Sequence, residues 1–201
     1  MTTSPTTPTP RRRLPFSVRT LLLLVAGLAI LLSTAVATRR VHQVLRRQYF
    51  ASLEPRLTEQ LGGKAVRDTI AKAESFDLYR LGPPSVNWQD AKPGDYQVTS
   101  GPVPIPRADT ALISKMLNDP ASFDWGPPCG CVVEYMVRMR FKRQSSEVWI
   151  DCMWNCPHLA VHRNGEWIGW HRFRSVEGEL LAIVKKAFPN DPEIRKLKLS
   201  P

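Results

Sequence analysis

Residues 21–37, LLLLVAGLAILLSTAVA, carry no charge, and Thr20 and Thr38 extend the uncharged run to 19 residues. About 20 apolar residues in a helix cross a bilayer core ~30 Å thick. Arginines border the run on both sides, at Arg19 and at Arg39-Arg40. Such flanks do not suit the core helix of a soluble domain. The run predicts a transmembrane helix over residues 20–38.

Two versions of this segment compete, a retained anchor and a cleaved signal peptide. Ala35-Val36-Ala37 has the small-x-small form of a cleavage site after a Leu-rich core. Arg39 and Arg40 follow at once, and positive charge at the start of a mature chain hinders export. That favours the anchor. Four arginines precede the run (Arg11, Arg12, Arg13, Arg19) and four follow closely (Arg39, Arg40, Arg46, Arg47). The positive-inside count is therefore nearly tied. Export of the C-terminal part rests on the signal-like design of the N-terminus. Arg11-Arg12-Arg13-Leu14 invites a twin-arginine reading, but Pro15 and Phe16 fit that pattern badly.

Charge follows the same division. Of the formal net charge of +10, residues 1–58 hold nine arginines against one acid, Glu54. The remaining residues are close to balance. A basic chain invites a nucleic-acid reading, because phosphate affinity needs clustered Lys and Arg. Here the cluster flanks an apolar span. Lipid headgroups are the partner expected for Arg11, Arg12, Arg13, Arg39, Arg40, Arg46 and Arg47, and no nucleic acid is expected.

The organisation expected is a disordered basic tail over 1–19, the membrane helix over 20–38, a basic juxtamembrane helix over 39–63 and an α+β domain over 64–201. Residues 1–10 are mostly Thr and Pro and hold nothing that forms a core. Val41, Val44, Leu45, Phe50, Leu53 and Leu57 recur at roughly helical spacing. Pro55 weakens that helix unless it begins a second one, and Gly62-Gly63 ends it. In the domain, strands are expected at residues 75–81, 96–100 and 166–173. Helices are expected after Asp109 and Ser175 as caps, each stopped at an Asn-Asp-Pro triplet.

The clearest element is a hairpin. From Cys131 to Phe141 the odd positions are apolar, and from Val148 to Cys156 the even ones are. Apolar faces must coincide, so paired residue numbers sum to an odd value. A sum of 289 sets Phe141 beside Val148 and Met139 beside Ile150. On the other face it sets Lys142 beside Glu147 and Arg138 beside Asp151. The opposite-charge pairs favour this register over its neighbours. The expected fold class is α+β, an antiparallel sheet with helices packed on one face after an N-terminal transmembrane helix. An outward apolar patch of Val132, Met136, Trp149 and Met153 is expected to lie under a helix or the loop at 82–95.

The four cysteines are Cys129, Cys131, Cys152 and Cys156. A zinc reading would use all four with His158, but the pairs are C-x-C and C-x3-C rather than the usual C-x2-4-C pairs. If residues 152–156 are extended, Cys152 and Cys156 stand about 13 Å apart and cannot share a metal. Cys152, in phase with Ile150 and Trp154, reads as a buried apolar thiol. In the same register Cys156 lies on the core face, diagonal to Cys131. The ranking is a disulfide from Cys156 to Cys131 or Cys129, then a metal, then thiol redox chemistry. No nucleophile-plus-base set, glycine-rich phosphate loop or paired catalytic carboxylates can be read, so no catalytic residue and no cofactor is assigned. His162 and His171 read as ordinary strand residues. Asp90, Asp95, Asp119 and Asp124 read as turn residues.

Two resemblances bear on this. Cys152-x3-Cys156-Pro157 resembles the C-x3-C-P loop of the copper-chaperone family that serves cytochrome oxidase. That likeness covers about seven residues. The family places its loop early in a thioredoxin fold, whereas only 45 residues follow Cys156 here. Copper stays the alternative. Arg11-Arg-Arg-Leu-Pro-Phe-Ser-Val-Arg-Thr-Leu-Leu-Leu-Leu24, Asp119-Pro-Ala-Ser-Phe-Asp-Trp125 and Ala187-Phe-Pro-Asn-Asp-Pro192 together resemble a group of uncharacterised bacterial single-pass membrane proteins. In that group the second Cys strand often ends Cys-x-x-Cys, whereas here it is Cys-x3-Cys. The resemblance implies an architecture and no activity. The functional expectation is a membrane-anchored exported domain that binds a partner or serves a structural role.

Overall fold

The computed structural model describes residues 18–87, 91–92, 94–126, 134–173 and 175–199. A long helix, α1 (Val18–Gln60), carries the apolar run, and its span is long and apolar enough to cross a membrane. The chain divides into two compact units, residues 1–48 and 49–201. The C-terminal turns of α1 therefore belong to the domain, which starts earlier than residue 64. Helix α1 also runs through Pro55 without a break. An interior proline costs a helix ~3 kcal/mol. Burial of Leu57, and of Leu61 just beyond the helix, opposes that cost.

Arg67 of α2 (Lys64–Ala71) fixes this junction. Its guanidinium donates to Glu54 Oε2 at 2.7 Å, Thr58 Oγ1 at 2.8 Å, Asn118 Oδ1 at 3.0 Å and the Asn118 carbonyl at 2.9 Å. Gly62 and Gly63 make the turn into α2 with φ of 85° and 96°. Those values favour glycine because it has no Cβ to clash.

Seven strands form one antiparallel sheet among the described residues. They are β1 (Ser75–Pro84), β2 (Tyr96–Pro104), β3 (Phe123–Asp124), β4 (Val137–Arg143), β5 (Ser146–Met153), β6 (His158–Arg163) and β7 (Glu166–Phe173). Their order across the sheet is β2-β1-β4-β5-β6-β7-β3. With α3 (Arg107–Leu117), α4 (Glu177–Ala187) and the short α5 (Pro192–Lys196), the chain is α+β, as its pattern predicts. One face of the sheet gives Phe76, Leu78, Met139, Phe141, Val148, Ile150, Leu159 and Val161 to the main core. Every helix of the domain adds to that core, through Leu57, Ile70, Ile113, Leu180 and Ile194 among others.

The β4–β5 register is the one that charge pairing selects. Phe141 lies opposite Val148, Met139 opposite Ile150, Lys142 opposite Glu147 and Arg138 opposite Asp151. The connection is Gln144-Ser145, and Gln144 takes a left-handed φ of 54° in place of the usual asparagine or glycine.

Three local expectations give way. Residues 154–157 turn instead of extending β5, and β6 pairs back so that His158 lies opposite Met153. Helix α3 starts after Pro106, and Asp109 sits inside its first turn, paired with Lys186. Helix α4 starts after Val176, while Ser175 Oγ donates to the Ala121 carbonyl. Both Asn-Asp-Pro triplets do follow a helix. Each Asp then caps the next turn, Asp119 accepting from Ala121 N–H and Asp191 from the N–H groups of Glu193 and Ile194.

Candidate functional site

The sheet face away from the helices is built in cross-strand rows. One row runs Tyr79, Arg138, Asp151, Ala160, Trp170, and the next runs Asp77, Arg140, Trp149, His162, Trp167. Each row pairs its charges. Arg138 meets Asp151 in a bidentate fork, Nε to Oδ1 at 2.6 Å and Nη2 to Oδ2 at 2.8 Å, with the Trp149 ring 4.6 Å from its Cζ. Arg140 binds Asp77 at 2.7 Å and lies 4.8 Å from the Tyr79 ring centre. His162 Nε2 stands 3.7 Å from Asp151 Oδ2. Burial pulls the His162 pKa down against the pull of Asp151, so the imidazole is neutral at neutral pH.

A second, smaller core lies on this face. It joins Leu81, Tyr96, Tyr135, Met153, Cys156 and Ala160, with Ala91 packed against it. Gly94 lies over His162, where an added Cβ would sit 3.5 Å from the ring. The loop between β1 and β2 thus covers part of the outward patch. Met153 is buried as expected of a covered residue. Met136 instead packs toward the main core, Trp149 stays half-buried, and Val132 lies outside the described residues.

The cysteine set separates in space. Cys152 is a free thiol within the main core, fully buried. Burial first and Asp151 second push its pKa well above the ordinary thiol value. Cys156 belongs to the second core instead. The core-face position expected for Cys156 fails because Cys156 lies in the turn at 154–157 and not in an extended β5. His158 Nδ1 lies 2.9 Å from the Cys156 carbonyl, so it carries the hydrogen. Cys129 and Cys131 lie outside the described residues, as do Arg11, Arg12 and Arg13. Among the described residues no three His, Cys, Asp or Glu side chains gather as metal ligands.

An open concavity lies elsewhere, beside β7 where β3 meets it. It has a volume of about 210 Å³ and is lined by Arg56, Gln60, Phe123, Asp124, Trp125, Gly126, Trp170, His171 and Arg172. Strand β3 pairs with β7 over two residues only, Phe123 with Phe173 and Asp124 with Arg172. Gly126 N–H then donates to Asp124 Oδ1 at 2.9 Å, a local turn at which the described pairing with β7 ends. Asp124 also pairs with Arg172 at 3.2 Å. Trp125 is held by its indole N–H on the Pro120 carbonyl at 2.9 Å. Above it lies Arg56 of α1, with Cζ 5.2 Å from the ring centre.

His171 closes the inner wall. Its Nε2 stands 2.8 Å from the Gln60 carbonyl at the end of α1. A carbonyl only accepts, so Nε2 carries the hydrogen and Nδ1 is left as an acceptor. Burial lowers the His171 pKa, and charge on His158 would lower it further, while the bond to Gln60 opposes both. The cleft therefore presents two guanidinium groups, one carboxylate already paired, a neutral imidazole and two indoles. This lining suits recognition of a group that carries negative charge beside apolar surface.

No motif marks the cleft: His171 reads as an ordinary strand residue, which it is in β7, Asp124 as a turn residue and Arg56 as charge alone. The available signal was the tryptophan-rich strand at 166–173, whose Trp167 and Trp170 are 54% and 42% exposed. No protein-family model, curated protein or solved structure matches the chain.

Proposed function

We propose that this chain is a single-pass membrane protein whose C-terminal domain is exported and works as a binding module. The observation that carries the reading is the cleft beside β7, where Arg56 lies over Trp125 beside the exposed Trp170. The N-terminal helix supplies the membrane half of the reading. Arg39 and Arg46, like Arg40 and Arg47, are seven residues apart, two helical turns, and so share a face of α1. All four are exposed, which suits contact with lipid headgroups.

A disulfide from Cys156 to Cys129 or Cys131 is part of the proposal. Its support is the contrast between the described cysteines, since Cys152 is a free thiol sealed in the main core while Cys156 lies apart from it in the second core. The rival is a copper, zinc or thiol-redox protein using Cys129, Cys131, Cys152, Cys156 and His158. It requires Cys152 to leave the main core.

The test labels the six tryptophans with 5-fluorotryptophan in the full chain, held in lipid nanodiscs. Trp125→Phe and Trp170→Phe variants assign two resonances. A panel of small carboxylates and short peptides is then titrated. Binding at the cleft shifts the Trp125 and Trp170 lines and leaves Trp154, buried in the main core, unmoved. A panel that moves neither cleft line refutes the binding role. Protease added to spheroplasts must digest the domain if it is exported, and protection would refute export.

A further inference from the structure

Helix α1 continues for about 33 Å past residue 38, the end of the uncharged run, at 1.5 Å per residue. Residues 39–49 of that stretch are exposed, apolar side chains included. Val41 is 57% exposed and Val44 50%. The exposed stripe has a period. Gly27, Thr34, Val41 and Gln48 are spaced by seven, and Ile30, Ala37 and Val44 stand three residues on from the first three. Alternating steps of three and four are the spacing of a coiled-coil seam. With Gln48 at position a, Arg39 and Arg46 fall at f and Arg40 and Arg47 at g, all off the seam. Inside a bilayer almost any phase of this helix is apolar, so the arginine-rich stretch is what fixes the phase. Counting back by sevens from Val41 then leads to Thr34 and to Gly27, the one glycine of α1.

Gly27 has no use within its own chain. A Cβ there would meet nothing within 4 Å. Glycine inside a helix costs about 1 kcal/mol relative to alanine. A second helix approaching closely would use the missing Cβ, as small residues do where helices pack in lipid. Thr34 also suits a seam, because its hydroxyl already donates to the Leu31 carbonyl at 2.9 Å and brings no unpaired donor there.

We infer that α1 pairs in parallel with α1 of a second copy of this chain, along the line of Gly27, Thr34, Val41 and Gln48. This rests on α1 spanning the bilayer. The seam keeps one phase through the apolar run and on into the arginine-rich stretch. Its occupant must be a helix that crosses the same bilayer and continues an apolar stripe at the same height. A second copy meets both conditions by its own sequence. Copies inserted by the same segment run parallel. Arg40 at g then lies beside Leu45 at e of the second copy, so no two arginines meet across the seam. A single polar residue at an a position fixes register, and Gln48 holds that place.

The experiment uses the full chain at high dilution in phosphatidylcholine vesicles. Val41→Cys, Val44→Cys, Gln43→Cys and Arg46→Cys are made one at a time, oxidised and run on non-reducing gels. The parent, with its four native cysteines, sets the background. Val41→Cys and Val44→Cys should link copies above that background, and Gln43→Cys and Arg46→Cys should not. Energy transfer between copies labelled at the N-terminus gives a second reading. Gly27→Ile should weaken association about tenfold by holding the helices apart, whereas Ala29→Ile, on the far side of α1, should leave it unchanged. Linking at Gln43→Cys or Arg46→Cys as strong as at Val41→Cys overturns the seam, and so does Gly27→Ile without effect. No linking above background, with energy transfer at the level of random mixing, means that lipid covers the stripe, and the pairing falls. Carbonate washing separates that failure from failure of the membrane reading. A chain that stays in the vesicles unpaired keeps the span and loses the pairing, while a chain washed away loses both.

Discussion

Replacing Asp151 by asparagine removes one charge from the most deeply buried ion pair among the described residues. The Asp151 side chain is fully buried and that of Arg138 is 9% exposed. The fork between them has two contacts of 2.6 and 2.8 Å, and the Trp149 ring covers the guanidinium. Asparagine keeps the shape but leaves Arg138 as an uncompensated cation with little water near it. Breaking a buried pair from one side costs about 3–5 kcal/mol. For a domain of this size that lowers Tm by roughly 6–20 °C. Urea unfolding of the full chain in detergent, followed by near-UV circular dichroism, measures the loss. The partner experiment replaces both residues, Arg138→Met with Asp151→Leu. A double apolar replacement of a buried pair is often neutral or stabilising. The double variant should therefore unfold within about 1 kcal/mol of the parent, or later. If Asp151→Asn costs under about 1 kcal/mol, the pair behaves as a solvated surface bridge and the burial argument is refuted.

Acid should destabilise the domain through its histidines. Burial holds His162 below its ordinary value of 6.5. The unfolded chain then takes up a proton that the folded chain refuses, so this contribution is complete above that pH and falls away below it, toward the folded pKa. The urea midpoint should drop between about pH 7 and pH 5, and His162→Gln should flatten the drop. Cys152 should resist iodoacetamide in the folded chain and react only on unfolding, as mass spectrometry would show. Cys152→Ser should cost about 1–3 kcal/mol, because its hydroxyl would sit in the apolar core. Arg67→Ala should cost about 2–3 kcal/mol by freeing the α1–α2–α3 junction, and should raise proteolysis near Gly62-Gly63.

The β4–β5 register was legible because two independent signals agreed. Apolar parity limited the sum of paired numbers, and Lys142–Glu147 with Arg138–Asp151 chose among the values left. Beyond Cys152 the same parity misleads. Trp154 and Cys156 keep the even-numbered apolar pattern, yet they lie in a turn, Trp154 in the main core and Cys156 in the second. A buried turn and a buried strand look alike over four residues, and Pro157 alone does not distinguish them. Pro55 misled in the opposite sense. A local rule forbids it in a helix interior, and the nonlocal burial of Leu57 and Leu61 overrides that rule.

The cleft was hidden for a different reason. Its lining comes from three stretches, at 56–60, 123–126 and 170–172. None of these carries a motif, and each has a local explanation. The stretches meet because a two-residue β3 pairs with β7, and because α1 ends against His171. The contact between β3 and β7 spans some fifty residues of chain, and no periodicity marks where a strand that short will stop. What the sequence did show was surplus. Trp167 and Trp170 share the outward face of β7 through the register irregularity beside Val161 and His162, and exposing two indoles gains nothing for folding. A strand face that only had to remain soluble would carry charged or polar residues at such positions. Exposed tryptophan where a charged residue would have kept the surface soluble argues that this surface is meant to be met.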